Sequence, residues 1–192
     1  MTAGIPERAD ARANRERLLD AAAAVFAEHG IPAEMKTIAE RAGVGVGTIY
    51  RNFATKDDLV AAVLLRTIDR AVELITRASE IEDPAEAVTA MIQVACDHAE
   101  ANSGLFQALF SGGLPPDCVP EDRSLEFLRI VTGVIIRGQQ AGVFRTDMPG
   151  EFLAAFLDAF FMAYLELRRT VPVEGTTERL SVLFLDAVRA RP

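Results

Sequence analysis

The sequence predicts an all-α fold. Apolar residues recur at spacings of three and four through most of the 192-residue chain, as they do on the buried face of a helix. No stretch alternates between apolar and polar residues with period two, the pattern of a half-buried strand. Glycine and proline separate the helical stretches, so we expect about nine helices, in an N-terminal domain (1–66) and a C-terminal domain (67–192).

The first helix shows how each boundary is assigned. Apolar residues from Leu18 to Phe26 share one face, and Gly30 followed by Pro32 ends the helix, which we predict over about 11–29. Thr55 and the acidic residues after it cap the start of the fourth helix. The other predicted helices lie at about 35–42, 46–53, 56–78, 84–101, 105–110, 121–141, 149–170 and 176–190.

Charge is distributed unevenly along the chain. The net charge is −8, yet residues 1–66 hold 9 basic and 9 acidic side chains, whereas residues 67–192 hold 11 and 19. Between Lys36 and Lys56, four basic residues stand against Glu40 alone, a local charge of +3. An acidic protein can therefore still present a positive surface to a polyanion.

Composition narrows the class of protein further. No uncharged apolar run approaches the roughly 20 residues of a membrane-spanning helix, and the first ten residues lack the apolar core of a secretory signal. We therefore expect a soluble, cytoplasmic protein. Cys96 and Cys118 are too few and too isolated for a disulfide framework or a metal site. They are interpreted as reduced thiols, with a redox-sensing pair as the alternative.

Two short helices joined by a glycine-containing turn lie between residues 35 and 53. Gly43 supplies the conformational freedom that the turn needs. This arrangement predicts a helix-turn-helix, in which the second helix lies in the major groove of DNA and the first crosses the backbone. The small and apolar residues expected to pack the pair are Ile38, Ala39, Ala42, Val44, Val46, Ile49, Tyr50 and Phe53.

The outward residues of the second short helix have the chemistry for DNA contact. Arg51 can pair bidentately with guanine, Thr48 can contact a phosphate or a thymine methyl, and Asn52 can donate to phosphate. Lys36 and Lys56 begin helices, where positive charge and free N–H groups together favour phosphate. The predicted DNA-binding residues are Lys36, Thr37, Gly45, Val46, Gly47, Thr48, Tyr50, Arg51, Asn52 and Lys56.

Three arginines precede the first predicted helix or open it. A flexible arm with Arg8, Arg12 and Arg15 can add contacts to DNA. Solvated charge without a role is the alternative.

A set of short segments then forms a recognisable pattern: residues 17–22 (RLLDAA), 25–30 (VFAEHG), 38–44 (IAERAGV) and 47–50 (GTIY), with Phe53, Lys56 and Leu59. The pattern covers about residues 12–70 and resembles the N-terminal signature of TetR-type regulators, although Gly45 stands where that signature usually has serine. The resemblance implies an all-helical homodimer that binds a palindromic operator and a small molecule. It assigns phosphate contacts to Tyr50, Asn52 and Lys56, and base or groove contacts to Val46, Gly47, Thr48 and Arg51.

Two apolar faces near the C-terminus are candidates for the dimer interface. Aromatic residues repeat at four-residue spacing on the eighth helix, and the ninth helix has an apolar face, so these helices can form a four-helix interface with a partner's copies. An intramolecular core is the alternative. The residues concerned are Phe152, Phe156, Phe160 and Tyr164, and Leu180, Leu183, Phe184, Ala187 and Val188.

Helical phase also predicts a ligand cavity between helices five and eight. An apolar or aromatic ligand would fit it, with His98 or Tyr164 as polar anchors, although each residue can instead be plain core. The predicted lining residues are Met91, Ala95, His98, Phe106, Phe110, Val131, Ile135, Phe160 and Tyr164.

These features predict a transcriptional repressor that a small apolar or aromatic ligand releases from operator DNA. The alternative is a helical adaptor whose helix-turn-helix no longer binds DNA. The two histidines and two separated cysteines fit no catalytic or metal-binding spacing, so neither an enzyme nor a cofactor is expected. The glycines between Gly43 and Gly47 follow a helix and not a strand, so they do not form a dinucleotide-binding loop.

Overall fold

A computed structural model describes the backbone of residues 5–110, 120–170 and 174–190. These residues form helices joined by short turns, with one isolated antiparallel bridge between Phe144 and Arg189. The predicted all-α fold is confirmed. None of the described helices combines the length and the apolarity needed to cross a membrane. The helices are α1 (Ile5–His29), α2 (Met35–Ala42), α3 (Val46–Asn52), α4 (Lys56–Ser79), α5 (Pro84–Ala101), α6 (Ser103–Phe110), α7 (Glu121–Gln140), α8 (Gly150–Thr170) and α9 (Thr176–Val188).

The largest departure from the predicted boundaries is at the start of α1. This helix begins at Ile5, six residues before the predicted start, because Pro6 is compatible with a first turn whose N–H groups have no helical partner. The expectation of a flexible arm is therefore wrong. Arg8, Arg12 and Arg15 all belong to α1.

The described residues group into two compact units. The first unit comprises the residues up to Thr67 together with α6, and the second comprises Ile68–Glu100 and the described residues from Pro120 onward. Helix α4 begins in the first unit and ends in the second. The division between residues 66 and 67 stays a prediction, but α6 packs with the N-terminal helices.

The core of the first unit fixes the helix-turn-helix. Helix α1 packs against α2, and α2 packs against α3. Phe26, Ile38 and Ile49 are fully buried, so each of the three helices contributes to one core. Both terminal guanidinium nitrogens of Arg41 donate to Glu28 at 2.7 Å, which adds a polar link between α2 and α1.

The second unit is a bundle in which α7 packs against α8 and α8 against α9. Ile135, Tyr164 and Phe184 are buried at its centre. The Arg137 guanidinium closes the end of α4, because its Nη2 donates to the backbone carbonyls of Ser79 at 3.0 Å and Ile81 at 2.7 Å.

Gly104 permits the close approach of α6 to α1. A Cβ atom at this position would overlap the backbone carbonyl of Phe26 and would lie 3.4 Å from the Cα atom of Gly30. Because backbone atoms cannot move aside as a flexible side chain can, the contact requires glycine.

We predict that Gly104→Ala lowers the free energy of unfolding by about 1 to 3 kcal/mol, since the added methyl overpacks the α1–α6 contact. Urea unfolding measures the change. Gly133→Ala is the matched control, because its Cβ would meet no atom within 4 Å and helix propensity should then raise stability by about 0.5 to 1 kcal/mol. Equal stability of the two variants would contradict the proposed packing.

Candidate functional site

The turn and the two ends of α3 set its position. Gly43 has a φ of 67°, in the left-handed region that glycine adopts without strain, and it ends α2. Gly45 is the N-cap of α3, has extended backbone and offers no side chain for a capping bond. Its carbonyl accepts a hydrogen bond from the Thr48 N–H at 2.8 Å. At the other end, the buried Phe53 side chain anchors α3 to the core.

The two faces of α3 differ in exposure. Ile49 is fully buried, whereas Gly47 and Arg51 are exposed, and Thr48 is partly exposed. Tyr50 is 50% exposed, so the expectation that it packs between the helices is wrong. Successive helical residues are turned by about 100°, so burial of Ile49 directs its neighbour away from the core.

The polar side chains of α3 are held by the helix itself. The Arg51 Nε donates to the Gly47 carbonyl at 3.2 Å, and the Arg51 Nη2 donates to the Thr48 Oγ1 at 3.0 Å. The Asn52 Nδ2 donates to the Thr48 carbonyl at 2.8 Å. Three of the predicted DNA-binding side chains therefore form one ordered group.

The cations around α3 are not equally available. The Lys36 side chain is 74% exposed, and its Nζ lies 3.9 Å from the Glu40 Oε1. An exposed ion pair at this distance is weak, so Lys36 can bind another anion. Arg41 is paired with Glu28, which lies outside the segment from which the local charge of +3 was counted. The positive charge near α3 is therefore smaller than the sequence window indicated.

Helix α4 starts beside α3 with a reciprocal cap. The Asp58 N–H donates to the Thr55 Oγ1 at 3.1 Å, and the Thr55 N–H donates to the Asp58 Oδ2 at 2.9 Å. These bonds fix the first turn of α4, which begins at Lys56.

One cation contact was missed in the sequence. The Arg15 guanidinium carbon lies 4.6 Å from the centre of the Phe53 ring, a cation–π contact between α1 and the residue that ends α3. No local pattern signals this contact, because the two residues are far apart in the chain. It places a further positive charge beside the helix-turn-helix.

A separate cavity lies inside the second unit. It contains about 410 Å³ of space without atoms, including space open to solvent. Met91, Val131 and Phe160 were predicted to line it and do so. The described lining residues are all apolar and include three phenylalanines: Met91, Ile92, Phe127, Val131, Leu157, Phe160, Phe161 and Leu180.

Tyr164 lies in a polar group next to buried Cys96. Its hydroxyl donates to the Glu100 Oε1 at 2.8 Å and lies 3.4 Å from the Cys96 carbonyl oxygen, and the Arg168 Nη1 lies 3.1 Å from the same Glu100 oxygen. Burial, then the bond to Glu100, raises the pKa of Tyr164. Burial also raises the pKa of the Cys96 thiol to about 11, which disfavours a reactive thiolate. Cys118, the other member of the redox pair considered above, lies outside the described residues.

Among the described residues, the cavity lining does not include five others that were predicted to bind the ligand: Ala95, His98, Phe106, Ile135 and Tyr164. Ile135 is buried, and Ala95 and His98 are half-buried on α5. Phe106 belongs to α6 in the first unit, and the side chain of Phe110 lies outside the described residues. Their roles in ligand binding stay predictions.

The apolar faces of α8 and α9 are partly core and partly surface. Tyr164 and Phe184 are buried, and the rings of Phe156 and Phe160 contact Phe184 with centroids 6.1 and 5.7 Å apart. Phe152 remains 57% exposed. The exposed large apolar residues of the two helices, here called the α8–α9 stripe, are Phe152, Phe156, Met162, Leu167, Val182 and Leu183.

The fold and the exposed polar face of α3 define a helix-turn-helix protein, and comparison with known proteins agrees. The family model for bacterial regulatory proteins of the TetR family matches residues 18–63. The crystal structure of a TetR transcription regulatory protein from Mycobacterium vanbaalenii is 32% identical, covers 96% of this chain and 100% of its own, and has a TM-score of 0.70. The chain belongs to the TetR family.

Two further matches differ in what they cover. An HTH-type transcriptional regulator of Staphylococcus aureus strain USA300 is 34% identical over 110 residues, which span 55% of this chain and 58% of that protein. The chain thus matches little more than half the length of this curated relative. A chain from Saccharomonospora viridis, crystallised in complex with choline, is 20% identical with a TM-score of 0.79, covers 92% of this chain and 98% of its own, and shares the fold.

We predict that Gly47→Ala weakens DNA binding about tenfold or more, the effect of about one lost base contact, while leaving the fold intact. A Cβ at Gly47 would meet no atom of the protein within 4 Å, so stability should stay constant or rise by up to about 1 kcal/mol. Thermal unfolding and fluorescence anisotropy on a labelled duplex measure the two effects. Unchanged affinity would show that the backbone at Gly47 does not approach DNA closely.

Proposed function

We propose that the protein is a homodimeric transcriptional repressor that binds a palindromic operator through α3 and is released by a small apolar or aromatic ligand. The observation that carries the proposal is the exposed polar face of α3, because Gly47, Thr48 and Arg51 are presented on a helix whose opposite side is buried. Family membership supports a role in transcription. Such a protein acts where the chromosome lies, so we place it in the cytoplasm.

The chemistry of each side chain indicates whether it contacts a base or the DNA backbone. Arg51 has the donor geometry for guanine, and Thr48 and Asn52 can contact phosphate or the edge of the groove. Tyr50 on α3 and Lys36 on α2 are exposed, which suits them for phosphate. The proposed DNA-binding set also includes Thr37, Gly45, Val46 and Lys56. Arg15 is added to it because its position over Phe53 brings its charge near the end of α3.

The α8–α9 stripe supports dimerisation. Among the described residues of α8 and α9, six large apolar side chains remain exposed. Where exposed apolar side chains form one patch, that patch marks an interaction surface. A palindromic operator repeats its half-sites about 34 Å apart, so two copies of α3 are needed to read it. We therefore assign the stripe to a two-fold interface with a second copy of the chain.

The cavity of the second unit supports a ligand of apolar or aromatic character. Its lining offers three phenyl rings and aliphatic side chains, which favour flat hydrophobic molecules. The cavity as it stands has room for roughly one water molecule, so a larger ligand must separate the surrounding helices. Ligand binding would then change the conformation of the unit in which α4 ends, and α4 begins in the unit that carries α3.

We predict that affinity for the operator falls steeply as salt concentration rises, because phosphate contacts release condensed cations. Replacing both Lys36 and Lys56 with alanine should reduce the slope of log affinity against log salt by about 2. Binding titrations at several salt concentrations on one duplex measure the slope. Arg77→Ala, which removes an exposed cation of the second unit, is the control and should leave it unchanged. Salt-independent or absent binding would favour the adaptor interpretation.

We predict that Val131→Leu abolishes the thermal stabilisation produced by cavity ligands, because the larger side chain fills the space. Naphthalene and indole are suitable probes, read by differential scanning fluorimetry. Val134→Leu is the matched control: both valines lie on α7 and are buried, but Val134 does not line the cavity. It should lower the melting temperature and keep the ligand shift. A ligand shift that survives Val131→Leu would place the site elsewhere.

A further inference from the structure

The contact between Arg51 and Thr48 uses one particular edge of the guanidinium group. Nε and Nη2 form the side edge of the group, and both donate to α3, one to the Gly47 carbonyl and the other to the Thr48 hydroxyl. The outer N–H of Nη1 and the second N–H of Nη2 form the end edge. This end edge has two parallel donors, which is the arrangement that guanine O6 and N7 accept.

Thr48 is a stiff acceptor for Arg51. A threonine in a helix is largely restricted to two χ1 rotamers. The structure shows the rotamer that brings the Thr48 Oγ1 to 3.0 Å from the Arg51 Nη2. The Thr48 backbone is fixed as well, since its N–H donates to Gly45 at 2.8 Å and its carbonyl accepts from Asn52 at 2.8 Å. The long Arg51 side chain is therefore restrained before any DNA is bound.

We propose that Thr48 is a positioning residue for base recognition, which holds the Arg51 guanidinium so that its end edge is presented to a guanine; this rests on the proposed function. The Thr48 hydroxyl accepts from Arg51 and keeps its own hydrogen, which it can donate to a phosphate oxygen. One hydroxyl then links base recognition to a backbone contact. Specificity for guanine should therefore depend on Thr48 through its bond to Arg51, without a contact of Thr48 to that guanine.

The experiment uses the whole protein and duplexes that it selects from a random pool. Each guanine of the selected site is replaced in turn by 7-deazaguanine, which lacks the N7 acceptor and keeps base pairing. The wild-type protein should lose about tenfold in affinity at one guanine of each half-site. Arg51→Ala should bind that site and its substituted form equally, which identifies the guanine that Arg51 contacts.

The Thr48 variants then test positioning. Thr48→Val and Thr48→Ala remove the hydroxyl, and each should reduce the 7-deazaguanine effect to about threefold or less, whereas Thr48→Ser should retain about the full tenfold effect. Thr89→Val is the matched control, since Thr89 is an exposed helical threonine of the second unit whose hydroxyl donates to the Ala85 carbonyl. It should behave as wild type. A merely structural role for Thr48 would lower affinity for both duplexes alike and leave their ratio unchanged.

The outcomes separate this proposal from the proposed function. If Arg51→Ala removes the 7-deazaguanine effect while Thr48→Val and Thr48→Ala keep all of it, positioning by Thr48 is overturned and operator binding stands. If Arg51→Ala keeps the effect, Arg51 does not read guanine and the inference fails. If the wild-type protein selects no sequence, both proposals fail.

Discussion

Burial of one face of α1, α2 and α3 in a common core determines which side chains of α3 reach the surface. An isolated helix as short as α3 is unstable in water, so its conformation depends on tertiary packing. Ile49 and Phe53 provide that packing from within α3 and immediately after it. The polar face with Arg51 and Thr48 is thus a consequence of how the apolar face is buried, and any change to the core should alter recognition as well as stability.

The first unit shows which features local sequence signals can predict. Apolar spacing and Gly43 predicted α2 and the start of α3, and Thr55 with the acidic residues after it predicted the start of α4. These signals act within a few residues along the chain. The start of α1 was missed, since residues 5–10 (IPERAD) show no apolar period. The Arg15 contact with Phe53 and the pairing of Arg41 with Glu28 were also missed. Both join residues distant in sequence, and periodicity holds no information on such pairs.

In the second unit, too, local sequence patterns do not show which distant residues meet. Helical phase indicated which faces of α5, α7 and α8 turn inward, and so Met91, Val131 and Phe160 were placed at the cavity. The spacing of apolar residues along a helix does not show which neighbouring helix its buried face contacts. For that reason Phe127 and Phe161 were overlooked, and the aromatic ladder of α8 could not be divided between core and surface until the structure showed it.

Methylation protection on a selected duplex tests the central claim most directly. The claim is that two copies of α3 enter the major groove one turn of DNA apart. Dimethyl sulfate modifies guanine N7 in the major groove and adenine N3 in the minor groove. Bound protein should protect two groups of guanine N7 atoms whose centres lie about 10 base pairs apart. Protection confined to adenine N3, or a single protected group at saturating protein, would contradict recognition by a pair of α3 helices.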